Sequence, residues 1–191
     1  MPNALSVLRI VLAPLFFIVF FIPWWTNTGD ITVAIVLIAI FAIIEITDLL
    51  DGMIARKYGL VTDIGKVLDP FADVMSKVTY FLCFAVAGLM YPAVFLIILY
   101  REFAILFVRM LMLRKGVAMA ARIGGKIKTV LYMLASGAAL LVLLTEALAL
   151  DPGLVSYIRV ATTVLFIAAA AASVLSFIDY LRVLAAAYRR D

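Results

Sequence analysis

The chain has 191 residues, 68% of them hydrophobic and 15% charged, with a mean hydropathy of +1.22. This excludes an ordinary water-soluble core and implies an integral membrane protein with a single domain over residues 1–191, since no polar block, linker or low-complexity tail suggests a second. The net charge is +4 and histidine is absent, so any chemistry must use carboxylates, amines or hydroxyls, and no nucleic-acid partner is expected.

Six apolar runs approach the ~20 residues that cross roughly 30 Å of hydrocarbon: 4–22, 31–50, 72–90, 93–113, 127–148 and 154–178. The fold class is therefore all-α, with six transmembrane helices. The first run ends in IPWW rather than a small-residue cleavage site, so it is expected to stay as an anchor. Arg56, Lys57, Lys66, Arg114, Lys115, Arg122, Lys126, Lys128, Arg182, Arg189 and Arg190 fall on one side, which the positive-inside rule makes cytoplasmic together with both termini. Trp24, Trp25, Tyr91 and Tyr157 fall near the opposite interface, as expected of amphipathic aromatics. The lone Cys83 lies in an apolar run and is read as packing, and the alanine run near residue 168 as helix filler.

Counting from Ile31, the second run reaches the cytoplasmic boundary near Leu50, which puts Asp48 and Asp51 at the inner headgroups. Asp48 and Asp51 are three apart, and Asp69 and Asp73 four apart, so each pair lies on one helix face. The short connection predicts antiparallel neighbouring helices whose acidic faces converge. Four close carboxylates repel unless a cation is present, and an all-oxygen donor set favours Mg2+ or Mn2+, as one or two ions. Each aspartate also has a plain structural reading. Asp69 is a good N-cap with Pro70 at the first helical position, Asp51 has Arg56 as a partner, and Lys77 is placed to neutralise Asp73. As a group they are costly at a membrane interface, which favours function. Gly52 and Gly65 suggest close approach to the backbone, although a turn also accounts for Gly65, and Gly59 resembles a helix C-cap.

The order Asp48-x-x-Asp51-Gly52-x-x-Ala55-Arg56, eight residues, Gly65, three residues, Asp69, three residues, Asp73 resembles the full signature of the CDP-alcohol phosphatidyltransferases. Eight fixed identities at that spacing arise by chance with a probability on the order of 10^-9 at any one start, given typical residue frequencies. PNALSVLR, REFAILFVR and MAARIGGKIKT resemble, more loosely, the phosphatidylglycerophosphate synthase branch. That branch has Lys directly after the last aspartate, where this chain has Val74.

The resemblance implies the CDP-alcohol phosphotransferase fold and transfer of a phosphatidyl group from CDP-diacylglycerol to an alcohol, releasing CMP, by a homodimer among membrane lipids. It implies that Asp48, Asp51, Asp69 and Asp73 ligate the metal and that Asp73 acts as the catalytic base. Asp48, Gly52, Arg56, Thr62 and Gly65 would serve the nucleotide and diphosphate. The surplus of cations, Arg101, Arg109, Arg122, Lys126 and Lys128, points to an anionic acceptor, with glycerol 3-phosphate fitting better than serine. Binding of anionic headgroups and topology are the competing account of these bases. Asn3, Ser6 and Arg9 are candidates to line the site or simply to start the first helix. Glu102 is expected to pair with a neighbouring base, and Glu45 either orients a ligand or pairs with a cation. The same chemistry on inositol phosphate, serine or another small alcohol is the alternative. A divalent-cation transporter is more remote, because its carboxylates belong near the bilayer midplane in repeated halves.

Overall fold

The computed structural model describes residues 4–26, 30–58, 65–114 and 123–188, apart from the surroundings of some helical residues, among them Asp51, Gly52 and Arg56. Asn3, Gly59, Thr62 and Arg122 lie outside the described residues. The described chain is all-helical: α1 (Ala4–Thr26), α2 (Asp30–Tyr58), α3 (Gly65–Val86), α4 (Pro92–Arg114), α5 (Ile123–Ala147) and α6 (Pro152–Tyr188). Four of them (α1, α2, α5 and α6) are long and apolar enough to cross a membrane. α3 and α4 carry Asp69, Asp73 and Lys77, and Arg101, Glu102 and Arg109, within their length.

The helices overrun the apolar runs, because hydrophobicity marks the membrane while hydrogen bonding carries a helix on into water. α2 continues two turns past Leu50 to Tyr58, so the Asp48–Gly52 stretch is helix interior rather than a helix end. α6 has 37 residues, about 55 Å of helix against roughly 30 Å of hydrocarbon. α3 starts at Gly65, which makes Pro70 an internal residue and overturns the reading of Asp69 as an N-cap. Pro70 is only five residues in, so the hydrogen bond it forgoes belongs to the first turns.

α1 packs along both α2 and α3, α2 along α5, α5 along α6, α6 along α4, and α4 along α3, which closes a ring of six helices. The expected direct pairing of α2 with α3 is thereby corrected. The two touch through side chains, with Tyr80 hydroxyl donating to Glu45 at 3.3 Å and Phe41 and Tyr80 rings 5.6 Å apart, while α1 packs against both. The core is a run of edge-to-face aromatics, including Tyr80–Phe81 at 5.0 Å, Phe81–Tyr132 at 5.1 Å and Phe81–Phe166 at 5.7 Å. Small residues bring α5 and α6 together: Ala135, Ala139, Ala169 and Ala170 are buried, so part of the alanine run is a packing face. A Cβ on Gly124 would stand 3.3 Å from the Ser176 Cβ. Cys83 is buried in the core as a free thiol, and Trp24, Trp25, Tyr91 and Tyr157 are exposed at helix ends.

Two helices end in the same hydrogen-bonded motif. After α3, Leu89 N–H donates to Phe84 O and Gly88 N–H to Ala85 O, with Gly88 at φ +69°. After α5, Leu150 N–H donates to Thr145 O and Ala149 N–H to Glu146 O, but the left-handed position is held by Ala149 at φ 51°. A Cβ there is strained by about 1–2 kcal/mol, part of which glycine's looser unfolded chain offsets. Ala149→Gly is therefore expected to stabilise the protein by about 0.5–1 kcal/mol, read as a higher unfolding temperature in detergent.

Candidate active site

One end of the ring opens into a cavity of about 650 Å³ to which all six helices contribute. Its acidic wall comes from α2 and α3. Asp48, Asp69 and Asp73 all line it, with the Asp48 side chain 40% exposed and that of Asp73 29%. Each has its own internal donor: Arg9 donates to Asp48, Ser6 to Asp69 and Lys77 to Asp73. Ser6 and Arg9, three apart on one face of α1, are therefore turned into the bundle, where both are buried. Lys77 lies one turn after Asp73 and is also buried.

The facing wall is basic. Arg101, Arg109, Lys126 and Lys128 line the same cavity from α4 and α5. Arg101 and Lys128 are buried, and both reach Glu102, whose Oε1 accepts from Arg101 Nη1 at 3.0 Å, from Lys128 Nζ at 2.8 Å and from the Tyr132 hydroxyl at 2.9 Å. Arg101 also donates from Nε to Ser173 O at 3.2 Å and from Nη2 to Ser176 Oγ at 2.7 Å. Among the described residues, Arg109 and Lys126 have no carboxylate partner.

Of the sequence-predicted site residues, Arg9, Asp48, Asp69, Asp73, Arg101, Arg109, Lys126 and Lys128 meet around this one cavity, with Ser6 bonded to Asp69. Gly65, the first residue of α3, is buried and does not line it. The surroundings of Asp51, Gly52 and Arg56, and Asn3, Thr62 and Arg122 as a whole, lie outside the described residues. Sequence reading did not single out Tyr132, Ser173, Ser176 or Tyr180. Two signals were present: Tyr132 is one turn after Lys128, and Ser173 and Ser176 interrupt an apolar stretch three residues apart. Glu102, expected to pair with one base, pairs with two. A second cavity of about 310 Å³, at the opposite end of the bundle, is lined by Phe20, Trp24, Leu37, Leu143 and Glu146 and gathers no charged cluster.

The family model described as CDP-alcohol phosphatidyltransferase matches residues 1–187. A CDP-diacylglycerol–glycerol-3-phosphate 3-phosphatidyltransferase of Treponema pallidum is 41% identical over 150 residues, covering 75% of this chain and 68% of the relative. Its namesake in Bacillus subtilis is 36% identical over 147 residues, 74% and 76% of the two chains. A probable phosphatidylglycerophosphate synthase of Mycobacterium tuberculosis is 34% identical over 137 residues, 72% of this chain and 64% of the relative. With apolar helices long enough to span a bilayer, carboxylates facing cations across one cavity, and a match running through all six helices, this membrane protein belongs to the CDP-alcohol phosphatidyltransferase family of enzymes.

Proposed function

We propose that this chain transfers the phosphatidyl group of CDP-diacylglycerol to glycerol 3-phosphate, yielding phosphatidylglycerophosphate and CMP. The observation that carries the reading is the single cavity in which Asp48, Asp69 and Asp73 face Arg109, Lys126 and Lys128. The names of the relatives support the same donor and acceptor. All six helices are assigned as spans of one catalytic domain, residues 1–191, in the cell (inner) membrane, with the cavity and both termini at the cytoplasmic face, where the Lys and Arg surplus lies. A diacylglycerol tail then stays in lipid while its diphosphate enters the cavity. The resemblance adds a homodimer.

Carboxylates from α2 and α3, both packed on α1 and both reaching one cavity, in a chain without histidine, suit one or two Mg2+ or Mn2+ ions, held by Asp48, Asp51, Asp69 and Asp73. When bound, such an ion supplies the positive charge that polarises the diphosphate. Asp48 and Arg9 form the wall nearest the start of α1, and the Asp48–Arg56 stretch with Thr62 is assigned to the nucleotide, while the buried Gly65 is left out of it. Asp73 accepts the proton of the acceptor hydroxyl, and the buried Lys77 ammonium beside it holds the carboxylate in place. Arg109, Lys126 and Lys128, with Arg122, take the acceptor phosphate, and its charge offsets theirs. Arg101 helps to make that wall positive.

The deciding assay offers purified protein, CDP-diacylglycerol and Mg2+ or Mn2+ with glycerol 3-phosphate, serine, inositol or inositol phosphate in turn, and measures CMP. Release is expected with glycerol 3-phosphate. No release with any acceptor would sink the enzymatic reading, and release with serine alone would sink the acceptor. Arg109→Ala removes one charge-assisted contact made equally in ground and transition states. The KM for glycerol 3-phosphate should rise about 10- to 100-fold with kcat little changed.

A further inference from the structure

We propose that Glu102 is a positioning residue for the acceptor half of the reaction: with Tyr132 it fixes the Lys128 ammonium so that its spare donors face the cavity, while Arg101 is committed to holding α4 against α6. This rests on the reading that the acceptor carries a phosphate.

Their anchoring separates the two buried cations. Arg101 has five N–H donors, and each of its three nitrogens spends one, Nε on the Ser173 carbonyl, Nη1 on Glu102 and Nη2 on Ser176 Oγ, so its rigid plane is pinned across to α6. Ser176 Oγ in turn donates to Ser173 O at 3.0 Å, so the α6 end of this contact is itself tied down. Lys128 has three N–H donors and uses one, on Glu102. Its ammonium also sits 4.6 Å from the centroid of the Tyr132 ring. It is thus held from two sides, by a carboxylate and an aromatic face, at the cavity wall. Tyr132 cannot drift, because its hydroxyl lies 2.9 Å from both Glu102 Oε1 and Ser173 Oγ.

Charge counting gives the arrangement a purpose. Glu102, only 2% exposed, neutralises one of two buried cations and leaves the buried Arg101–Glu102–Lys128 cluster with a single net positive charge, beside Arg109 and Lys126 on the same wall. Two bare cations at that depth would repel each other, and a second carboxylate would leave the buried cluster with no net charge to offer an anion. One carboxylate between an arginine and a lysine keeps the wall attractive to a phosphate and, by occupying one lysine donor, fixes the direction of the others.

The test uses full-length enzyme and varies glycerol 3-phosphate and CDP-diacylglycerol separately. Glu102→Asp keeps the charge but withdraws the carboxylate from Lys128 by about one C–C bond, ~1.5 Å. Tyr132→Phe keeps the ring under the ammonium and removes the hydroxyl that aligns Glu102. The KM for glycerol 3-phosphate is expected to rise about tenfold in Glu102→Asp and about threefold in Tyr132→Phe, with kcat and the KM for CDP-diacylglycerol within about twofold of wild type. A folded Glu102→Asp enzyme with unchanged acceptor KM would overturn the proposal, as would a parallel fall in kcat and in affinity for both substrates. If Glu102→Asp does not fold, Tyr132→Phe decides by the same criteria. A wild-type enzyme that accepts only unphosphorylated alcohols would overturn the acceptor reading itself, and this inference with it.

Discussion

Asp73→Asn is expected to lower kcat by about 10^3-fold or more while CDP-diacylglycerol binding, measured by retention of the donor lipid or by protection against unfolding, stays within a few-fold of wild type. The substitution is isosteric and removes only the charge, so the side chain still fills its place on α3. What it loses is the capacity to take a proton from the acceptor hydroxyl, worth about 10^2–10^4 on its own. It also strips the buried Lys77 of its carboxylate, so an unfolding curve belongs beside the kinetics. Loss of donor binding in step with turnover would show that Asp73 serves the metal rather than the proton.

The largest loss of stability is expected at Glu102. In Glu102→Ala, Arg101 and Lys128 remain buried with no carboxylate between them, and breaking a buried pair in this way costs about 3–5 kcal/mol. For a chain of this length that is on the order of 10 °C in unfolding temperature. Asp179→Ala is the matched control. Its pair with Arg182 is 3.3 Å long with side chains 44% and 76% exposed, and such pairs contribute at most about 1 kcal/mol. If the two variants unfold at the same temperature, the buried network does not hold α4, α5 and α6 together.

The acidic half of the site was legible because its information is local. Asp48 and Asp51 are three apart in the sequence, Asp69 and Asp73 are four apart and both line the cavity from α3, and such spacings survive any error in helix ends. Helix ends themselves were misjudged. An apolar run reports where lipid stops, and Asp30–Tyr58 and Pro152–Tyr188 extend beyond it, while Gly65–Val86 starts ahead of the 72–90 run and ends before it does. The neighbours of α2 and α3 were misjudged as well, since a short connection limits distance without saying which helix packs alongside. The basic half was legible only as a surplus of charge. Its order comes from contacts between positions as far apart as Arg101 and Ser176, 75 residues along the chain. No spacing rule reaches that far, although Lys128 with Tyr132 and Ser173 with Ser176 showed which faces carried polar groups.

The ring also constrains how the protein can be made. Helices enter the membrane in chain order, yet Arg101 on α4 finds its carbonyl and hydroxyl partners only on α6, and Glu102 finds Lys128 and Tyr132 only on α5. Until the last third of the chain arrives, α4 holds an arginine and a glutamate with only each other to satisfy them. On the proposal that α4 is one of the spans, its insertion is completed by later segments, and assembly of the cavity ends with the docking of α6. Truncation before Pro152 should leave α4 poorly inserted, not merely an enzyme missing its final helix.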